Sequence, residues 1–395
     1  MRLLPRLFGT KPETKALNLT DPGIEELFGV LPTASGISIS AHTAMRVPAV
    51  ACAVALISET SGNLPAKLYL RGSKETKTDH PAHGLIHDEA NEWTSATELR
   101  TQLTLDALMT GNGYAHVVRL SDGTPYELHR LDPAKVRADK ADDGEPFYIV
   151  EMTSGTRRFP YQDILHVSPF GGASPITLGR EAIALAVAFE SHIASLFKNG
   201  GRPSGVIKSE KALDVPAKQK IAASWFKTHG GTNAGGTAIL DEGMSYDPLS
   251  TTLADAQFAE NRTEQIREIA RVFRVPPTLL FELTRGTWSN SEQMMRQFLT
   301  LTLAPWLKAW AWAYSRCLLT PEERLSLYVE FITDDLLTID HATRATAYGQ
   351  YRAMNVMTGN EVRSGLNLPP HPDGDRLDNP HITTPDNAAP EEDAA

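Results

Sequence analysis

A mixed α+β architecture is predicted for this 395-residue chain, on three observations. Long segments repeat apolar side chains every three or four positions, as amphipathic helices do. Short apolar runs lie between turn signals such as Asp122-Gly123 and Ser154-Gly155, as hairpin strands do. The two kinds of segment are interleaved, over a length that supports two or three domains.

Residues 1–40 are rich in Gly, Pro, Ser and Thr with short apolar fragments, and read as an extended or partly ordered arm. Pro48 to Ser61 is apolar and Ala-rich and predicts a helix. Leu64 to Leu70 suits a strand, and Gly72 to His80 a polar turn. Ala96 to Thr110 is a helix with Leu99, Leu103 and Ala107 on one face, stopped by Gly111-Asn112-Gly113. Tyr114–Leu120 and Tyr126–Leu131 form a hairpin about Asp122-Gly123. Phe147–Thr153 and Arg157–Pro160 form another, and Ile164–Val167 adds a short strand. Residues 41–170 therefore read as one α+β domain.

Thr177 to Phe197 is helical, with Ile183, Val187, Ala194 and Phe197 on an apolar stripe, and ends at Gly200-Gly201. Gly205–Lys208 and Ala238–Leu240 are short strands about a helix at Pro216–Thr228. Asp255 to Phe273 is a charged amphipathic helix carrying Phe258, Ile266, Ile269 and Phe273. The Pro276-Pro277 pair breaks it. A longer helix runs from Asn290 to about Leu319, with Pro305 expected to kink it. Leu325–Ile332 is a strand, and Asp340–Met354 and Thr358–Ser364 are helices. The last 25 residues, from His371, carry seven acidic residues and one Arg, and read as a disordered tail.

The chain has 38 basic and 48 acidic residues, a formal net charge of -10. This argues against a simple basic DNA-binding surface, because affinity for DNA rests mostly on phosphate neutralisation. An acidic wall would instead resist sticking and suit passage of a polyanion. Cys52 and Cys317 have neither metal nor redox spacing and read as buried free thiols. The opening MRLLPRLFG is broken by Pro5 and too short for a signal sequence, and no apolar run is long enough for a membrane span.

The order of several fragments carries a resemblance. GNGYAHVVR at Gly111–Arg119 is followed by ELHRLDP at Glu127–Pro133 and HVSPFGG at His166–Gly172. FKNGGRPSGVI at Phe197–Ile207, QFAENR at Gln257–Arg262 and IARVFRVPPTLL at Ile269–Leu280 come next. WSNSEQ at Trp288–Gln293, LTLAPWL at Leu301–Leu307 and TGNEVRSGLNLPP at Thr358–Pro370 complete it. From about Val47 to Pro370 the chain resembles the portal proteins of tailed bacteriophages and phage-like gene transfer agents.

The resemblance implies an α+β portal-type subunit with an α/β wing, a helical stem, a small α/β clip insertion and a small helical crown. Residues 1–40 would be an arm, 41–176 the first part of the wing, 177–199 the first stem helix and 200–251 the clip. Residues 252–275 would be the second stem helix. Residues 276–333 would hold the tunnel loop, the long kinked helix and the return to the wing. Residues 334–370 would be the crown and 371–395 the acidic tail. The expected assembly is a ring, commonly of twelve copies, at one capsid vertex, assembled in the bacterial cytoplasm. The expected partners are double-stranded DNA read without sequence preference, the large terminase, a head-completion or adaptor protein and the major capsid protein. No cofactor, metal or membrane is implied.

Two groups of residues are singled out. Thr284, Arg285, Gly286, Thr287, Trp288 and Ser289 would form the tunnel loop facing DNA, with an ordinary helix connection around a buried Trp as the alternative. Glu260, Arg262, Glu264, Arg267, Glu268 and Arg271 would pair between subunits along the stem, or else pair locally on a solvated face. Trp306, Trp310 and Trp312 read as core or subunit packing, not base stacking. GGTNAGG at Gly230–Gly236 lacks the phosphate-loop arrangement and reads as a flexible turn. Asp334, Asp335, Asp340 and His341, like His80, His83 and His87, lack a metal motif and default to surface or capping roles. Neither Ser168 nor Ser289 has a nucleophile context. The competing classes are a nucleotide-dependent enzyme, which would need a Walker-type loop, and a structural binding module that forms no ring.

Overall fold

The structure, a computed structural model, describes residues 33–153, 155–198, 205–209, 214–229, 244–248, 252–283, 291–333, 341–366, 368–377 and 379. The elements begin with α1 (Ala41–Ala44), α2 (Pro48–Asn63) and β1 (Ala66–Leu70). Next are α3 (Pro81–His87), β2 (Glu89–Asn91), β3 (Thr94–Ser95) and α4 (Ala96–Thr110). Strands β4 (Gly113–Arg119), β5 (Pro125–Leu131), β6 (Val136–Lys140), β7 (Pro146–Met152), β8 (Gly155–Pro160) and β9 (Ile164–Val167) follow. Mixed α+β is what forms, as the alternation of periods predicts.

The main core lies between α2, α4, the β5-β4-β9 sheet and a later helix, α10 (Ala304–Leu318). Leu99, Leu103 and Ala107 all face it, so the period of α4 was read correctly. Gly111 ends α4 in the left-handed conformation, at φ 93°, which only glycine adopts at low cost. Where α2 crosses α4, a Cβ on Gly62 would stand 2.0 Å from Thr101 Oγ1, so the crossing needs glycine. Strand β1 pairs antiparallel with β12 (Leu327–Phe331), which returns the chain to this domain across more than half its length.

Arg100 is the unusual member of this core, only 1% exposed. Its guanidinium donates from Nε and Nη2 to the Gly62 carbonyl, at 3.1 and 2.9 Å, and from Nη1 to the Ile86 carbonyl at 2.6 Å. These acceptors lie at the C-terminal ends of α2 and α3, where carbonyls lack helical partners and the helix dipole is negative. One cation thus closes two helix ends.

A second, smaller core forms under the β6-β7-β8 sheet, from Tyr148, Val150 and Phe159 with Tyr114 and Ile164. His166 joins it to the first sheet. Its Nε2 lies 2.9 Å from Asn112 Oδ1 and its Nδ1 3.1 Å from the Tyr148 hydroxyl. An amide oxygen only accepts, so Nε2 carries the hydrogen and Tyr148 donates to Nδ1. Burial, aided by the nearby Arg316 cation, depresses the His166 pKa to about 4.

Beyond this domain lie α5 (Pro175–Leu178), α6 (Arg180–Lys198), β10 (Gly205–Lys208), α7 (Val215–His229), β11 (Ser245–Pro248) and α8 (Thr252–Phe273). α9 (Ser291–Gln297), α11 (Glu323–Ser326), α12 (His341–Ala353) and α13 (Gly359–Gly365) complete the helices. Strand β10 pairs antiparallel with β11. Helices α6 and α8 pack together, and a Cβ on Gly179, between α5 and α6, would meet Val272 of α8 at 2.6 Å.

At the end of the expected arm, Thr33 and Ile39 are buried and Ile37 packs on the core, so residues 33–40 are ordered. Several expectations change. The helix expected over Thr177–Phe197 is two, divided at Gly179. Ala194 on its supposed apolar stripe is exposed, because α6 runs past the core after Phe189. Helix α3 and strands β2, β3, β6 and β11 had no clear periodic signal. The expected turn ends in a helix cap, with His80 accepting from the Ala82 N–H. Cys317 is buried as expected, whereas Cys52 is half-buried. The tail does not begin at His371. Asn360 binds the backbone of His371 and Gly374 and the Asp375 carboxylate, so the small C-terminal unit runs past Pro370. The strand at Ala238–Leu240, the glycines at 230–236 and Asp334, Asp335 and Asp340 lie outside the described residues.

Replacing Arg100 with Met strands buried carbonyls at two helix ends and should cost about 3 kcal/mol or more in urea unfolding. The depressed His166 pKa sets a second expectation. From its ordinary value of 6.5 down to about 4, the unfolded chain binds this proton and the folded chain does not. Stability from this group is complete above that window and lost as pH falls through it, by about 3 kcal/mol. Urea midpoints compared at pH 7 and pH 4.5 should show a weaker pH dependence for His166→Gln than for the unaltered chain.

Candidate functional site

The charged helix α8 and the segment it delivers form the candidate site. Helix α8 ends through Arg274, which takes the left-handed conformation at φ 60°. The Val275 N–H then reaches back to the Ala270 carbonyl at 2.9 Å, closing the helix end. Pro276 and Pro277 follow, since neither can donate to a continuing helix. One 3-10 turn, Pro277–Leu280, leads to Phe281, again left-handed at φ 62° and 82% exposed. The chain is thereby turned sharply twice within eight residues, Arg274 to Phe281.

Glu282 anchors the end of this turn. It is buried, its N–H meets the Pro277 carbonyl at 3.2 Å, and its carboxylate lies 3.7 Å from Arg267. Arg267 also reaches Glu264, at 3.3 Å. Arg271 pairs with Glu264 at 3.5 Å and with Glu268. Arg262 reaches across to Glu190 of α6 at 3.8 Å, and Glu260 is exposed. Five of the six charged residues singled out in the sequence, all but Glu260, thus join ion pairs within one chain. Sequence reasoning missed Glu282 and Glu190. A lone carboxylate inside the apolar run Leu279–Leu283 was the available signal for Glu282.

The other group, Thr284, Arg285, Gly286, Thr287, Trp288 and Ser289, lies outside the described residues. Its two attachment points are described. Glu282 holds one. On the other side α9 runs into a π-helical stretch, Phe298–Leu303, and then α10. The expected irregularity at Pro305 therefore takes this form: Pro305 lacks the N–H for a regular bond to Leu301, and the turn before it widens. Thr302 within the wide turn donates to the Arg274 carbonyl at 2.5 Å, binding it to the end of α8. Trp306 and Trp310 are buried, with Trp310 Nε1 donating to Thr104 at 3.0 Å, while Trp312 is 60% exposed. Both flanks of residues 284–290 are therefore tied to the core.

Among the described residues there is no group of metal-ligating side chains, and no helix is long and apolar enough to cross a membrane. His83 and His87 stack on one another, and His80 faces Glu323 at 3.1 Å.

Buried and exposed ion pairs along α8 should differ in worth. Arg267→Met removes a half-buried cation from beside the buried Glu282 carboxylate and should cost about 1–2 kcal/mol in chemical denaturation. Arg271→Met removes exposed pairs and should cost less than about 1 kcal/mol.

Comparison with known proteins agrees with this architecture. The family model described as phage portal protein matches residues 48–367. The chain is 29% identical over 350 residues to the portal protein of Enterobacteria phage HK97, covering 86% of this chain and 82% of that protein. It is 28% identical over 382 residues to the probable portal protein of Streptomyces phage phiC31, covering 92% and 83%. Among solved structures, it superposes on a chain of the neck of a native gene transfer agent particle computed with C12 symmetry. The TM-score there is 0.60 at 24% identity, covering 88% of this chain and 100% of that one. With its α+β core, its pair of long helices and a family match spanning most of its length, the chain belongs to the phage portal protein family.

Proposed function

We propose that copies of this chain close into a ring at one vertex of a virion or phage-like particle. Double-stranded DNA passes through its centre during packaging and ejection. The observation that carries this reading is the family match across residues 48–367. The twelve-fold symmetry applied to the related neck supports a ring of twelve. Exposed Trp312, Met354 and Val356 supply apolar surface of the kind that copies bury against one another.

In this reading residues 41–176 form the first part of a wing, and α6 and α8 are the stem. The insertion at 200–251 is a clip that meets the large terminase and later an adaptor protein. The segment after α8 turns inward, so that Thr284–Ser289 faces the duplex. The unit from residue 334 is a crown, and the wing meets the major capsid protein. The ring itself performs no chemistry; the motor that hydrolyses nucleotide is separate. A net charge of -10 suits a passage that must release phosphates repeatedly. The local ion pairs of α8 preorganise Glu264 and Arg271, which remain exposed enough to be shared with a neighbouring copy.

Electron microscopy of the isolated protein should show rings with a hole that admits a B-form duplex; monomers or closed dimers under all conditions would overturn the reading. Deleting Thr284–Ser289 should leave rings intact and impair packaging or DNA retention. Lost assembly with normal DNA handling would refute the placement of that segment.

A further inference from the structure

An apolar cavity of about 370 Å³ opens between the start of α2, the middle of α6, the second half of α8 and the 3-10 turn after it. Val47, Ala186, Phe189, Ile266, Ile269 and Leu280 are among its walls. Gln265 lines it too, and its Oε1 is shielded from solvent with no hydrogen-bond partner among the described residues. A buried amide oxygen without a donor costs about 1–3 kcal/mol, so the site calls for an N–H from elsewhere. Arg262 stands at the cavity, and among the described residues its ion-pair partner is Glu190, at 3.8 Å.

A path along α6 leads to this cavity. Glu181, Leu185 and Phe189 follow one another at intervals of four and so share one stripe of the helix. Leu185 is 48% exposed, an apolar side chain left open between the other two. At the head of the stripe, Glu181 Oε2 accepts the backbone N–H of Ala34 at 3.1 Å. Ala34, one residue after the described chain begins, therefore stands beside α6. From Glu181 to Phe189 the helix rises about 12 Å. From Ala34 back to Phe28 the chain can span about 20 Å. The reach suffices without crossing to another copy.

The arriving sequence is Glu25-Glu26-Leu27-Phe28-Gly29-Val30-Leu31. Its apolar residues match the stripe and the cavity, and its two carboxylates match Arg262. Its backbone offers the N–H that Gln265 lacks. We propose that Leu27–Leu31 of the same chain runs along the Glu181–Leu185–Phe189 stripe and fills the cavity, fastening α6 to α8. This goes beyond the ring reading, and holds or fails whether or not the ring carries DNA.

Cys52 lines the cavity and provides a reporter. In the full chain carrying Cys317→Ser, the variants Leu27→Cys, Phe28→Cys, Val30→Cys and Leu31→Cys are each oxidised mildly and mapped by peptide mass spectrometry. At least one should form a disulfide with Cys52 within a single chain, while Thr10→Cys should not. Crosslinks to Cys52 found only between two chains would overturn the assignment in favour of a neighbouring copy, and no crosslink at any of the four positions would overturn it altogether. Independently, Phe28→Asp should speed modification of Cys52 by a small thiol reagent about tenfold, by emptying the cavity. An unchanged rate, with an unchanged melting temperature, would also refute the proposal.

Discussion

The fold depends on where one buried positive charge finds its acceptors. Among the described residues Arg100 pairs with no carboxylate; it is held by the carbonyls at the ends of α2 and α3. Desolvating a guanidinium is costly unless its donors are met. Five donors in a rigid fork are hard to satisfy, so the arrangement specifies how α2, α3 and α4 stand relative to one another. The guanidinium also lies 5.9 Å from the Phe331 ring of β12, which draws in the strand that closes the domain. Elements distant in sequence are thus referred to a single point.

That fixed domain is the base from which the long helices extend. Helix α10 crosses it with Trp310 bound to Thr104 of α4, and α8 reaches it through Ile269, Ala270 and Phe273. Their far parts differ: α6 leaves the core after Phe189 and presents solvent-facing side chains. The close approach of Gly179 to Val272 sets the separation of α6 from α8 at the base. A rigid root with exposed outer lengths suits the ring packing proposed above.

Much of this was legible along the chain. Glycine at Gly111, the turn pairs and the period of α4 each act locally, so residue order alone reveals them. Helix α3 escaped notice because PAHGLIH offers Gly and two His where a helix normally shows apolar repetition. Strand β11 was hidden because its pairing with β10 joins segments far apart in sequence. The candidate site divides the same way. Glu264 and Arg271, two turns apart on one helix face, were visible as a pair. The bond from Arg267 to Glu282 depends on two left-handed residues, Arg274 and Phe281, neither a glycine. Nothing in their side chains announces that backbone state, and only tertiary packing holds it.

The wide turn at Phe298–Leu303 has an angular consequence. A π turn accommodates one residue more than an α turn, and each residue of an α-helix advances about 100° around the axis. The turn therefore sets the rotational phase between α9 and α10. Were those residues regular α-helix, the face of α10 that carries Trp310 would be turned by about 100° relative to α9. The orientation of everything that α9 carries is, in this sense, indexed to the interior by a single surplus residue.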